Sequence, residues 1–169
     1  MIITETDRLI LRELDHDDAP FILKLVNEPS WLENIGDKNV HNLEDAQRYL
    51  DEGPLKSYQE NGFGLYLAEL KLKKYPVGLC GLVKREGLDH PDIGYALLPD
   101  FWGAGLASEA ARATLQYAQD KLGIDQVLGV TSMDNASSMR VLEKIGLRYD
   151  REVILPQQDH PSRLFCLAL

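Results

Sequence analysis

The segment DIGYALLPDFWGAGLASEA constrains the fold of this chain more than any other stretch. An apolar, strand-like run ends at PDFW, two glycines follow one residue apart, and an alanine-rich stretch begins. That stretch keeps Leu106 and Ala110 close to helical spacing and has Glu109 in the first turn, where a negative charge is favourable. Gly123 suits the left-handed residue that ends a helix. The pattern predicts a strand joined by a glycine turn to a helix that begins near Ala104.

Gly103 and Gly105 leave the backbone bare at the start of this helix. A helix N-terminus carries unpaired N–H groups and about half a positive charge, so a phosphate could approach there. A turn that only links strand to helix is the plainer alternative, and the spacing alone leaves both open. A Walker loop does not fit, because no lysine occurs between Arg85 and Lys121. A dinucleotide fingerprint fits poorly, since Ser108 occupies its last position.

The rest of the chain alternates between strand and helix patterns. Strand patterns occur around Arg8–Leu14 and in FGLYLAELK, YPVGLCGLVKRE, DQVLGVTSM, YDREVILP and RLFCLAL. Helix patterns occur in DHDDAPFILKLVNE, in LEDAQRYLDE after Asn42 as cap, and in ASSMRVLEK after Asn135 as cap. Gly53 and Pro54 are expected to interrupt the second of these helices.

These elements predict a single α+β domain over residues 1–169. No repeat, low-complexity tract or linker divides the chain, and 44% hydrophobic residues suffice for one core. Short connections favour antiparallel hairpins in the middle of the chain. We therefore expect a mixed, mostly antiparallel sheet of about six or seven strands, flanked by helices.

Composition and charge exclude several classes of function. The net charge of −9 argues against a nucleic-acid partner and mildly favours a cationic substrate. No apolar run is long enough for a membrane span, and the start lacks the pattern of a signal peptide, so we expect a cytoplasmic protein without a membrane partner. Cys80 and Cys166 lie apart in apolar runs without metal-ligand spacing. Buried free thiols and no metal site are expected.

Three segments together carry a resemblance to a known family. They are TDRLILREL followed by DHDDA near the start, DIGYALLPDFWGAGLASEA in the middle, and NASSMRVLEKIGL near the end. In this order and at these separations they resemble the GNAT superfamily of N-acetyltransferases, in particular its RimJ/RimL-like branch, which modifies ribosomal proteins. The resemblance covers nearly the whole chain. It implies acetyl-CoA as co-substrate and central strands that separate to admit it.

The resemblance places a pyrophosphate motif at the glycine turn. The family pattern is Arg or Gln, two residues, Gly, one residue, then Gly or Ala, and here Trp102 replaces the basic or amide residue. Phosphate binding is therefore expected to depend on backbone amides and the helix end. A plug in the core is the plainer role for Trp102. The motif covers Trp102, Gly103, Ala104, Gly105, Leu106 and Ala107.

The same resemblance assigns expected contacts to the rest of the cofactor. The backbone of Leu97 and Leu98 is expected to pair with the pantetheine amides, although both side chains also suit core packing. Asn135 is expected to contact pantetheine as well as cap its helix. Ser138 is expected near the thioester sulfur, where its hydroxyl would stabilise the departing thiolate.

The chemistry implied is direct attack of an amine on the thioester, which needs a group to take up a proton. Asp92 is the preferred catalytic base, and Glu69, His90 or water alone are the alternatives. Their plainer interpretations are exposed strand positions for Asp92 and Glu69 and a turn residue for His90. The expected activity is acetyl transfer to a primary amine, with a protein N-terminal α-amine favoured, by a monomer or homodimer. Acetylation of a polyamine or antibiotic and a non-catalytic acyl-CoA-binding module are the alternatives.

Overall fold

The computed structural model describes all 169 residues and contains one eight-stranded sheet. Its strands are β1 (Ile2–Glu5), β2 (Leu9–Arg12), β3 (Leu65–Leu70), β4 (Tyr75–Val83), β5 (Asp92–Leu97), β6 (Gln126–Ser132), β7 (Arg148–Val153) and β8 (Ser162–Ala168). They lie in the order β1-β2-β3-β4-β5-β6-β8-β7. Only β5 and β6 pair in parallel, so the predicted mixed, mostly antiparallel sheet is confirmed.

The strand that the sequence did not predict is β1. It has four residues and pairs with β2 across a short hairpin at the edge of the sheet. Four residues give too short an alternation to separate a strand from an irregular terminus. The sheet therefore has eight strands instead of the expected six or seven, because its edge strand β1 is too short to show a recognisable alternation.

Six α-helices flank the sheet. They are α1 (Ala19–Leu25), α2 (Pro29–Asn34), α3 (Leu43–Leu50), α4 (Lys56–Asn61), α5 (Leu106–Leu122) and α6 (Ala136–Lys144). None of them is long and apolar enough to cross a membrane. The predicted cap at Asn42 is confirmed, since its side chain accepts the N–H of Asp45 at 2.8 Å. Gly53 and Pro54 do not end the helical path, because a π turn at Asp51–Leu55 joins α3 to α4 and accommodates the proline.

Both faces of the sheet are covered by apolar side chains. One cluster packs α5 and α6 against the sheet, and the other packs α1, α2 and α3 against the opposite face. Successive residues of a strand point to opposite faces. In β5, Ile93 and Leu97 accordingly belong to the first cluster, while Ala96 and the following Leu98 pack in the second.

The sheet opens between β5 and β6. Their only paired residues are Asp92 and Leu128, and the N–H of Leu128 donates to the carbonyl of Pro91 at 2.9 Å. Beyond this point β6 continues its ladder with β8 on its other side. The two central strands therefore diverge towards the end of β5 from which α5 starts, as expected for this class of fold.

Candidate functional site

The glycine turn at the end of β5 has the backbone that the sequence predicted. Gly103 has φ +82° and Gly105 has φ +77°, both in the left-handed region that favours glycine. Gly105 is the N-cap residue of α5, so the helix begins at Leu106 rather than near Ala104. Because Gly105 has no side-chain oxygen, it cannot cap the helix, and no other side chain accepts a hydrogen bond from its first turn.

The first turn of α5 therefore offers N–H groups to a ligand. The first backbone bond of the helix runs from the N–H of Glu109 to the carbonyl of Gly105, at 3.0 Å. The N–H groups of Leu106, Ala107 and Ser108 precede that bond and have no partner within the helix. The Leu106 side chain is buried in the core, so only its backbone faces the turn. This arrangement suits an anion at residues 103–107.

Trp102 does not plug the core. Its side chain belongs to the exposed large apolar residues, at 55% exposure, and its indole N–H donates to the carbonyl of Leu97 at 3.0 Å. The indole thus covers the surface beside the glycine turn and ties the turn to the end of β5. The expectation of a core role was wrong, because Trp102 follows the helical turn at Pro99–Phe101 and its indole lies at the surface.

Both backbone groups of Leu98 are already hydrogen-bonded. Its N–H donates to the carbonyl of Val77 on β4 at 2.9 Å, and its carbonyl accepts the N–H of Phe101 at 3.0 Å. Its side chain is buried between the sheet and α3. The structure therefore argues against the predicted contact between Leu98 and pantetheine.

Leu97 and Tyr95 are the residues of β5 whose backbone faces the opening. Backbone groups alternate between the two edges of a strand, and the N–H of Leu98 points to β4. The pairing of β5 with β4 has no register shift. The backbone N–H and C=O groups of Leu97 and Tyr95 therefore point away from β4, towards the edge that faces β6. The Leu97 carbonyl is occupied by Trp102, which leaves its N–H and both backbone groups of Tyr95 along the cleft.

Tyr95 also contacts Ser138, a link that the sequence did not reveal. The Tyr95 hydroxyl donates to the Ser138 carbonyl oxygen at 2.9 Å and lies 3.0 Å from Ser138 Oγ. Burial raises the pKa of the Tyr95 hydroxyl, so it stays protonated at neutral pH. Asn135 Oδ1 accepts the N–H of Ser138 at 3.1 Å, which confirms Asn135 as the cap of α6. The first turn of α6 is thus fixed at the cleft from two sides.

Asp92 lies where β5 and β6 begin to diverge. Its carboxylate is only 1% exposed, and both of its oxygens lie 3.0 Å from Nε of Arg85. Burial raises the pKa of Asp92 to about 6, although the attraction and hydrogen bonds of Arg85 act in the opposite direction. The plainer interpretation as an exposed strand position is wrong, because the residues after β4 fold over this end of the strand.

Glu69 is also buried rather than exposed, and it belongs to a different cluster. Arg12 lies 3.5 Å from Glu69 and makes two bonds to Asp18 at 2.8 and 3.0 Å. Along β4, Glu69 is opposite Pro76 and Asp92 is opposite Val83. Seven residues of strand correspond to about 23 Å.

His90 lies in the connection between β4 and β5, as its interpretation as a turn residue predicted. It lines a surface cavity of about 350 Å³ together with Lys84 and Asp89. The structure therefore does not bring the three candidate bases together. No group of three or more His, Cys, Asp or Glu side chains is arranged as a metal site requires.

The two faces of β5 differ in chemistry at the cleft. Asp92 and Tyr95 are three residues apart in one strand, so their side chains lie on opposite faces. One face presents the hydroxyls of Tyr95 and Ser138, and the other presents the carboxylate of Asp92 with Arg85. The strand that borders the cleft therefore carries hydroxyl groups on one face and a buried carboxylate on the other.

Comparison with known proteins adds a family and a shared fold. The family model for the acetyltransferase (GNAT) domain matches residues 8–148. YkkB of Bacillus subtilis (strain 168) is 31% identical over 153 residues, which cover 88% of this chain and 86% of that protein. The N-acetyltransferase YoaA of the same organism is 28% identical over 157 residues, covering 92% and 86%. The solved structure of RimL, a ribosomal L7/L12 alpha-N-protein acetyltransferase in complex with coenzyme A, has a TM-score of 0.83 at 19% identity and covers 100% of this chain and 98% of that one.

The buried Asp92 predicts an unusual dependence of stability on pH. Its pKa of about 6 in the folded protein exceeds the ordinary value of 3.8 for an aspartate, so the folded state binds the proton first as the pH falls. Between pH 7 and pH 4 the parent should gain on the order of 2 to 3 kcal/mol of unfolding free energy relative to Asp92→Asn. Urea unfolding of both proteins at the two pH values measures this gain, because all other groups are common to them. A difference between the proteins that does not change with pH would contradict the raised pKa.

Proposed function

The chain belongs to the GNAT acetyltransferases, and we propose on that premise that it transfers an acetyl group from acetyl-CoA to a primary amine. A protein N-terminal α-amine is the favoured acceptor. The observation that carries the proposal is the open edge of β5, where the backbone of Tyr95 and the N–H of Leu97 face the cleft beside the Ser138 hydroxyl. The glycine turn and the start of α5 lie at the mouth of the same cleft.

The cofactor would lie along this edge from the glycine turn inwards. The N–H groups of residues 103–107 and the positive end of α5 would hold the pyrophosphate, as backbone donors hold anions at other helix starts. The N–H of Leu97 and the backbone of Tyr95 would pair with the pantetheine amides in the manner of an added strand. Asn135, at the start of α6, would meet pantetheine near its thiol end. Trp102 would hold the turn in place through its bond to Leu97 and would supply no charge to the phosphates.

Ser138 is the proposed hydrogen-bond donor to the leaving thiolate. When the amine attacks the carbonyl carbon of the thioester, the carbon–sulfur bond breaks and negative charge develops on sulfur. The Ser138 hydroxyl can donate to that sulfur, while the neighbouring Tyr95 hydroxyl, 3.0 Å from Ser138 Oγ, donates its own proton to the Ser138 carbonyl oxygen. Stabilisation rather than proton donation is proposed, since a serine hydroxyl is a much weaker acid than a thiol.

Asp92 is the proposed base, acting through water from the face opposite Ser138. With a pKa of about 6 the carboxylate is ionised at neutral pH and still basic enough to accept a proton. An α-amine with a pKa of about 7.7–8.0 needs little help to become neutral, whereas a lysine amine near 10.4 needs much more. A weak, buried base therefore supports an α-amine acceptor. Glu69 is a poorer candidate because it lies on β3, opposite the end of β4 that is far from Asp92, and is engaged by Arg12.

The test of the function is a panel of acceptors, with release of the coenzyme A thiol as the readout. One peptide has a free α-amine and no lysine, and its partner has a blocked N-terminus and one lysine. Spermidine and an aminoglycoside represent the small cationic amines that the net charge of −9 would also attract. We expect turnover of the first peptide alone. Turnover of only the small amines would favour the alternative substrate class, and binding of acetyl-CoA without any turnover would favour a non-catalytic module.

Gly105→Glu should abolish binding of acetyl-CoA. The change adds a side chain and a negative charge at the proposed phosphate site, on a backbone with φ +77°. Gly123→Glu is the matched control, because Gly123 has φ +64°, open surroundings and the same helix, but lies at its other end. Calorimetric titration of both variants measures the effect. Unchanged affinity in a folded Gly105→Glu protein would remove the glycine turn from the cofactor site.

Ser138→Ala should lower kcat at least tenfold and change the Kd of acetyl-CoA much less. The hydroxyl gains most when the thiolate departs, so its loss affects the transition state more than the bound substrate. Ser137→Ala is the control, since Ser137 is the preceding, exposed residue of the same helix. Steady-state kinetics with an active acceptor and binding of acetyl-CoA give the two quantities. Equal kcat in parent and Ser138→Ala would limit this residue to packing.

Asp92→Asn should lose rate most at low pH and recover part of it as the pH rises. Asparagine keeps the size of the side chain and removes its basicity, while a higher pH supplies more neutral amine without a base. The pH profile of kcat/KM for parent and variant tests this. Profiles that superimpose would exclude Asp92 and direct the same measurement to Glu69 and His90.

A further inference from the structure

The first turn of α5 contains an acidic residue at the place where a phosphate is proposed to bind. Glu109 is the fourth residue of the helix. A free carboxylate there would compete with a phosphate for the positive end of the helix. Glu109 is instead bound by two residues from the start of the chain. Thr6 Oγ1 donates to Oε2 at 2.6 Å, and Arg8 donates to Oε1 from Nε at 2.8 Å.

These contacts compensate the negative charge of the Glu109 carboxylate. Arg8 Nη2 also lies 2.8 Å from Oε1, and the backbone N–H of Arg8 donates to Oε2 at 3.2 Å. Partial burial raises the pKa of Glu109, but the hydrogen bonds from Thr6 and Arg8 outweigh that and hold it below its ordinary value. The carboxylate is therefore ionised, fully occupied and paired with a cation, rather than free to repel a second anion.

Arg8 also contacts the glycine turn itself. Its Nη1 donates to the carbonyl oxygen of Ala104 at 2.8 Å. The peptide unit between Ala104 and Gly105 is planar and trans, so its carbonyl and its N–H point in opposite directions. By binding the carbonyl, Arg8 turns the N–H of Gly105 away from itself and towards the side proposed for phosphate.

Arg8 brings a cation to the glycine turn, whose motif has Trp102 at the first position instead of a basic residue. A Cβ built on Gly105 would lie 3.7 Å from Arg8 Nη2, so the guanidinium runs directly alongside the turn. Arg8 lies between β1 and β2, about a hundred residues away in sequence. It is the one cation that contacts both the turn and the first turn of α5.

We propose that Arg8 is a positioning residue of the phosphate loop, which fixes the Ala104–Gly105 peptide and neutralises Glu109 so that the loop accepts the cofactor's pyrophosphate. The inference rests on the proposed function, since it concerns the same cofactor. The planar fork of arginine holds a carboxylate and a carbonyl at once, whereas the point charge of lysine cannot reproduce that geometry.

The test compares two donors that differ only beyond pantetheine. Acetyl-CoA carries the pyrophosphate, and S-acetylpantetheine does not. Arg8→Ala should raise KM for acetyl-CoA at least tenfold, because a hydrogen-bonded charge has been removed from the loop. The same variant should keep kcat/KM for S-acetylpantetheine within about twofold of the parent, which also shows that it is folded. A merely structural role of Arg8 would weaken both donors alike.

Three further variants complete the design. Arg8→Lys should resemble Arg8→Ala, and full recovery of the parent KM by lysine would overturn the positioning role. Glu109→Gln keeps an acceptor oxygen for Arg8 and removes the charge, so KM for acetyl-CoA should not rise. Lys121→Ala removes an exposed cation from the far end of α5 and should leave both donors unaffected.

The outcomes separate this inference from the proposed function. A parent that does not bind acetyl-CoA overturns the proposed function and the inference with it. A parent that binds acetyl-CoA while Arg8→Ala matches its KM overturns the inference alone. An equal loss with both donors, or a rise in KM for Glu109→Gln, does the same.

Discussion

The divergence of β5 from β6 is the constraint on which the rest of this structure depends. A sheet interior normally pairs every backbone group, yet here the pairing ends after Asp92 and Leu128. Tyr95 and Leu97 consequently face a gap in place of a neighbouring strand. Because α5 starts from a turn at the end of β5, its positive end lies at the mouth of that gap. A single topological feature thus supplies both a hydrogen-bonding edge and an anion site.

Strand alternation gives the gap two different walls. Tyr95 and Ser138 hold hydroxyls on the face covered by α5 and α6, and Asp92 holds a carboxylate on the opposite face. Burial raises the pKa of both Tyr95 and Asp92, which suits the role proposed for each. It keeps Tyr95 protonated, and it raises the pKa of Asp92 to about 6. The two hydroxyls and the carboxylate are therefore separated by the thickness of one strand.

Charge at the glycine turn is balanced by residues that are distant in sequence. Trp102 stands at the position where a basic or amide side chain would serve the motif, and Arg8 comes to the same turn from the first hairpin. Glu109, which the sequence explains as a favourable residue of the first turn, is at the same time an ion-pair partner of Arg8. The charge of the helix end and the contacts of Arg8 thus act on the same atoms of the turn. A motif defined by neighbouring residues includes only the first of these two effects.

The sequence by itself determined what depends on neighbouring residues. Local hydrogen bonds and left-handed backbone specify the caps at Asn42 and Asn135 and the glycine turn, and periodicity specifies seven of the eight strands. The order of three motifs also sufficed to indicate the family. Only the tertiary structure decided which backbone groups were already paired, as at Leu98, and which side chains were buried, as at Asp92 and Glu69. Those outcomes depend on strand edges and on partners such as Arg85 and Arg12, whose approach is fixed by packing and leaves no local pattern in the chain.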